Sequence, residues 1–119
     1  MLKYLLDEHI AAAYQERLQQ IDPTLSIKKI GDLDTLKFGT LDPQVLLWCE
    51  AHDFVLVTNN RKSMPLHLSD HLTGEHHIPG IFIINLEAGV SDNAEALYLI
   101  AITAITNEYR DQIIYVPFW

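Results

Sequence analysis

The chain has 119 residues, 49% of them hydrophobic, a size that supports one hydrophobic core without metal or disulfide staples and predicts a single domain. A lone cysteine, Cys49, excludes an intramolecular disulfide, and its place beside Val45 and Leu46 on an apolar helix face predicts a buried thiol. Sixteen acidic residues against eight basic ones give a net charge of −8, which disfavours generic binding to polyphosphate; a nucleic-acid substrate then needs divalent ions or a local basic patch such as Lys28-Lys29 or Arg61-Lys62.

In chain order, the apolar run 2–6 reads as a buried strand that ends directly in Asp7-Glu8. Residues 10–20 place Ala11, Tyr14 and Leu18, with Ile21 just beyond, at helical spacing, and Asp22-Pro23 breaks that helix. Residues 25–30 alternate apolar and polar, as an edge strand does, and 31–41 has the composition of a loop. Asp42-Pro43 predicts a helix start, with the aspartate as cap and the proline at the first helical position, running to about His52. Residues 54–58 form a central strand that ends in Asn59-Asn60-Arg61. An irregular or partly helical segment follows, and then a strand over 81–85 introduced by Pro79-Gly80. The longest helix is predicted over 92–107, opened by Ser91 or Asp92 with Glu95 placed as in a capping box. Residues 113–116 close the chain as a short strand.

This alternation of strands and helices predicts a three-layer α/β/α sandwich with a mainly parallel central sheet. Without a basic and apolar leader, and with no apolar stretch longer than residues 97–102, a cytoplasmic protein with no membrane span is expected. Sheets of this kind bring the carboxyl ends of central strands and the amino ends of the following helices to one rim, where ligands bind. Asp7, Asp42 and Asn60 then converge. Carboxylate and amide oxygens suit Mg²⁺ or Mn²⁺, which use one or two protein carboxylates and keep several waters. Each residue also has a plainer role open to it: Asp42 and Asp7 as helix caps, and Thr58, Asn59 and Asn60 as turn formers.

The residues Leu5-Leu6-Asp7-Glu8, the helix start at Leu41-Asp42, and Leu56-Val57-Thr58-Asn59-Asn60 resemble those of small bacterial PIN-like domains, and the likeness extends over nearly the whole chain. That resemblance implies a Mg²⁺- or Mn²⁺-dependent endoribonuclease, of a kind often found as the toxin of a toxin–antitoxin pair, with Asp7 and Asp42 as the first two metal-binding acids. Asn60 stands where the family usually has an aspartate, so it is read as a neutral ligand or positioning group, with metal affinity and catalysis reduced. Glu8, Thr58 and Asn59 are supporting residues, and Arg61 or Lys62 is expected to contact phosphate. Glu87 and Asp92 are weak candidates for a fourth acid, and His9 for orienting substrate.

Four further readings remain open. His67 and His71, four apart on a helix, offer a Zn²⁺ pair with a third ligand from His76-His77. The helix over 92–107, apolar almost all round, and the apolar tail from Ile113 to Trp119 suggest a homodimer or antitoxin-binding surface, or else a helix sunk between the sheet and the chain's own tail. A catalytically weakened scaffold acting through protein contacts is the alternative to the enzyme. A phosphoacceptor receiver-like domain ranks last, because Asn85-Leu86-Glu87 lacks the lysine it needs.

Overall fold

Five short apolar segments form one parallel sheet in the computed structural model, which describes residues 1–117. The strands are β1 (Tyr4–Leu6), β2 (Ile27–Lys29), β3 (Val55–Thr58), β4 (Ile81–Ile84) and β5 (Ile113–Val116), in the spatial order β2-β1-β3-β4-β5. Every adjacent pair is parallel. Parallel pairing demands crossovers, supplied by α1 (Ala12–Ile21), α2 (Asp42–His52), α3 (Met64–Thr73) and α4 (Gly89–Thr103).

The period of two along a strand divides the core. Tyr4, Leu6, Val55, Val57, Phe82 and Ile84 face one side, with Tyr14 and Leu18 of α1 and Leu97, Ile100 and Ala101 of α4. Leu5, Leu56, Ile81 and Ile83 face the other, with Val45, Leu46 and Cys49 of α2 and Met64 and Leu68 of α3. Two helical layers on a two-sided apolar sheet make the α/β/α sandwich, and explain why its strands read as continuous apolar runs. Cys49 is fully buried, and burial pushes its thiol above the ordinary value, which matches the expectation of an inert core cysteine.

Element boundaries depart from the sequence reading where local capping competes. Leu41, not Asp42, is the N-cap of α2; Asp42 and Pro43 are its first two residues, and the Asp42 side chain makes no cap hydrogen bond. The helix predicted over 92–107 begins and ends earlier, at Gly89–Thr103, and the expected Ser91/Asp92 capping box does not form. The Asn85 side chain instead accepts from Glu87 N–H and caps a 3₁₀ turn, Leu86–Ala88, that leads straight into α4. Ser91 and Asp92 therefore lie inside the first turn, where the carboxylate still complements the helix dipole. One face of α4 is buried, while Leu99 and Ile102 stay exposed. Phe118 and Trp119 of the expected apolar tail lie outside the described residues. Among the described residues, no helix is long and apolar enough to cross a membrane.

The connection from α3 to β4 is pinned by Asp111, whose carboxylate accepts from Ile78 N–H at 2.9 Å and from His77 Nδ1 at 2.7 Å. Desolvation raises this carboxyl's pKa, but the donated hydrogen bonds outweigh it and hold it below the usual value of 3.8. A carboxylate depressed on folding stabilises the native state above its unfolded pKa, and that contribution disappears as pH falls through the lower folded value. Asp111→Asn should thus cost about 1 kcal/mol in urea melts at neutral pH, given its partial exposure, with the difference from the parent closing in strong acid.

Candidate functional site

In this sheet the chain steps from β1 out to β2 on one side, then crosses back to β3 on the other. The switch point therefore lies between β1 and β3, and the crevice beyond their carboxyl ends is where open α/β sheets take ligands. Leu6 is in register with Val57, and Asp7 N–H donates to Val57 O at 2.9 Å, continuing the ladder one residue further. Asp7 and Thr58 thereby become neighbours, each two residues beyond a side chain, Leu5 or Leu56, that faces α2 and α3.

A cleft of about 250 Å³ opens at this point, lined by Asp7, Glu8, His9, Thr40, Leu41, Asp42, Asn59 and Asn60. The three candidate residues from separate stretches of chain do share one rim. Asp7 Oδ2 accepts from Thr58 Oγ1 at 2.9 Å, and Asp7 Oδ1 accepts from Glu8 N–H at 2.7 Å. The Thr58 hydroxyl also accepts from Asn60 N–H at 3.1 Å. Asn60 Nδ2 in turn donates to Asp42 Oδ2 at 3.2 Å. Thr58 and Asn60 thus form a bridge between the two aspartates.

The cap roles open to these aspartates are not taken. Neither carboxylate caps a helix: α1 starts at Ala12 with Ala11 as N-cap, and α2 is capped by Leu41. The carboxylate of Asp42, released from its own helix, is turned to Asn60 and to His67, whose Nε2 lies 3.4 Å from Asp42 Oδ2.

Asn60 has a fixed orientation. Its Oδ1 accepts from Ser63 N–H at 3.2 Å and its Nδ2 donates to Ser63 Oγ at 2.7 Å as well as to Asp42. A flipped amide would set two donors against each other at Ser63 and two acceptors at Asp42. In this orientation Oδ1, the atom a cation would use, is engaged by Ser63 N–H. Glu8 reaches the other way: its Oε1 accepts from Gly39 N–H at 2.9 Å and holds the loop between β2 and α2 against the cleft.

The residues present suit a hard divalent cation by charge and donor type. Asp7 and Asp42 give the lining its negative charge while Glu8 is turned to Gly39, and among the described residues no lysine or arginine lines it with them; the acids here do not bring three ligand atoms within 4.8 Å of one another, so an ion would be held by two carboxylates and its own waters. Glu87 and Asp92 are not part of this lining. Of the basic groups, Lys29 is next to the cleft and the Arg61 guanidinium is turned toward β5. Lys29, at the end of β2, donates from Nζ to Glu8 O at 3.0 Å. Arg61 lies over the Tyr115 ring at 5.7 Å and borders a neighbouring hollow with Asn85.

Two contacts escaped the sequence reading. Lys29 was visible only as half of a basic pair, and its position at a strand tip beside β1 follows from sheet order. His67 was paired with His71 by its spacing of four; in the structure it turns to Asp42, and His71 turns away to Glu50 and the turn after α3. Compared with known protein families, curated proteins and solved structures, the chain matches none.

Thr58 is fully buried and links Asp7 to the Asn60 backbone. Thr58→Val keeps the β-branched shape but strips Asp7 of a donor and Asn60 N–H of an acceptor. A loss of about 1 kcal/mol is expected, read as a lower urea midpoint with an unchanged slope.

Proposed function

We propose that this protein is a metal-dependent endoribonuclease of PIN-like type, with Asp7 and Asp42 holding Mg²⁺ or Mn²⁺ in the cleft beyond β1 and β3. The observation that carries this reading is the meeting of two hydrogen-bonded aspartates, neither spent on capping a helix, from distant segments at the topological switch point, in a cleft that no lysine or arginine lines among the described residues. A bound divalent ion supplies charge neutralisation on a phosphodiester and makes a coordinated water more acidic.

The chain's own residues do the positioning. Thr58 fixes the rotamer of Asp7, and Asn60 fixes that of Asp42 while bearing no charge of its own. His67, with Nε2 3.4 Å from Asp42 Oδ2, flanks that carboxylate from the α3 side. Lys29 beside the cleft, and Arg61 in the loop after β3 with its guanidinium over Tyr115, are the local cations that would offset the repulsion between a chain of net charge −8 and an RNA backbone. Lys62 adds a third cation to the same loop. In this reading the protein works in the cytoplasm, with a cognate antitoxin and a second copy of itself as candidate partners.

A second reading has its own support. An asparagine at position 60 and the exposed Leu99, Ile102 and Ile105 suit a weakened enzyme that acts through protein contacts. The two are separated by incubating single-stranded and structured RNA with the purified protein and Mn²⁺, with a chelator, and with Asp7→Asn in parallel. Cleavage that needs both the ion and Asp7 supports the enzyme. Cleavage indifferent to both overturns it, and no cleavage at all favours the scaffold.

A further inference from the structure

About α2 and α3, away from the acidic cleft, a second set of ligating side chains comes together. Glu50 in the last turns of α2, His71 near the end of α3 and His76 in the turn beyond it each offer one ligand atom, and these atoms lie within 4.8 Å of one another. We propose that Glu50, His71 and His76 form a Zn²⁺ site with an open fourth position. This proposal is independent of the nuclease reading, since it uses none of the residues at the switch point.

The donor set argues for zinc. Two imidazoles and one carboxylate suit Zn²⁺ rather than Mg²⁺, which prefers oxygen ligands in octahedral geometry. Tetrahedral Zn²⁺ with bonds near 2.0–2.1 Å sets its ligand atoms about 3.4 Å apart. His71 Nε2 and Glu50 Oε1 are already 3.4 Å apart, and His76 Nδ1 lies 2.8 Å from the same oxygen. Modest opening of the second distance admits the ion.

The surroundings prepare the ligands. Glu50 Oε2 accepts from His77 N–H at 2.9 Å, which orients the carboxylate and leaves Oε1 facing the two histidines. The His71 side chain is only 3% exposed, so its ring is held by packing. Its Nε2 is bonded to His77 O at 2.9 Å, and metal binding exchanges that hydrogen bond for a coordinate bond as the ring proton moves to Nδ1. His71 and His76 also line a groove of about 180 Å³ with Pro43, Leu47, His67 and Asp70. That groove gives room for a water or an exogenous ligand in the fourth position. The consequence for the fold is a metal clamp joining the end of α2 to the turn that leads into β4.

Titration calorimetry of the full chain with Zn²⁺ at neutral pH tests this. One equivalent per chain and a rise in melting temperature are expected. His76→Ala and Glu50→Gln should each weaken binding about 100-fold or abolish it; His76→Ala, at a half-exposed position, should leave the melting temperature without zinc close to that of the parent, whereas Glu50→Gln gives up charge-assisted bonds to His77 N–H and His76 and should lower it slightly. The double variant Asp7→Asn, Asp42→Asn should keep the zinc that His76→Ala loses. Failure of the parent to bind zinc overturns the proposal. So does binding that survives His76→Ala or is lost in the Asp7, Asp42 double variant, which would put the ion in the acidic cleft.

Discussion

Asp7→Asn is expected to lower Mn²⁺-dependent RNA cleavage by about 100- to 1000-fold, the range found when a single preorganised electrostatic group is removed from a catalytic centre. The substitution is chosen because its effect on folding is small. Asparagine Oδ1 keeps the Glu8 N–H, and the Thr58 hydroxyl, which donates to Asp7 Oδ2 in the parent, rotates to accept from the new amide. The variant therefore loses one negative charge at the rim and the acceptor of the buried Thr58 hydroxyl proton, a cost of about 1 kcal/mol that a urea melt reads separately from cleavage. Asp42→Asn should behave alike, and the double variant should be scarcely worse than either single one, because residues that hold one ion act as a unit. Near-additive losses, or an Asp7→Asn variant that cleaves at the parent rate with its fold intact, would remove the basis for placing the ion between these aspartates.

The sheet was legible because its signal is redundant. Residues such as Leu5, Leu56 and Phe82 lie in apolar runs bounded by polar tips, and a strand buried on both faces leaves no other way to read them. Helix starts were harder, since short polar side chains have several partners within reach. Asn85 took the capping role expected of Ser91 or Asp92 and drew α4 forward, and Asp42 sits where a cap was expected while its carboxylate serves a different segment. Periodicity speaks only of neighbours on one element. It grouped His67 with His71, whereas packing of α3 beside α2 sends one to Asp42 and the other to Glu50, contacts spanning 25 and 21 residues that no local spacing encodes. The convergence of Asp7, Asp42 and Asn60 was legible for the opposite reason: it follows from topology once strands 1 and 3 are adjacent and parallel.

Asn60→Asp should separate the two readings of the cleft most sharply, because its effect changes sign with the ion. Asn60 Nδ2 donates to Asp42 Oδ2 and Ser63 Oγ, so a carboxylate in its place converts a hydrogen bond into a like-charge contact in a partly buried site. Without metal the variant should melt below the parent at neutral pH. Repulsion between Asp42 and the introduced carboxylate raises the pKa of that pair above its unfolded value, and this penalty fades as pH falls and the pair takes up a proton. With Mn²⁺ the third carboxylate faces the cation instead, and affinity should rise by about 10- to 100-fold, since ligand charge tunes the affinity of hard-cation sites. Melting temperature would then exceed the parent's at saturating Mn²⁺, through ordinary linkage of binding to folding. A rise in RNA cleavage alongside it identifies Asn60 as the residue that attenuates an enzyme. Tighter binding without cleavage describes a scaffold that keeps the ion and has lost the chemistry. A variant destabilised equally with and without Mn²⁺ would mean that no divalent ion sits between residues 7, 42 and 60, and that Asn60 is there only to hold the α2 and α3 starts together.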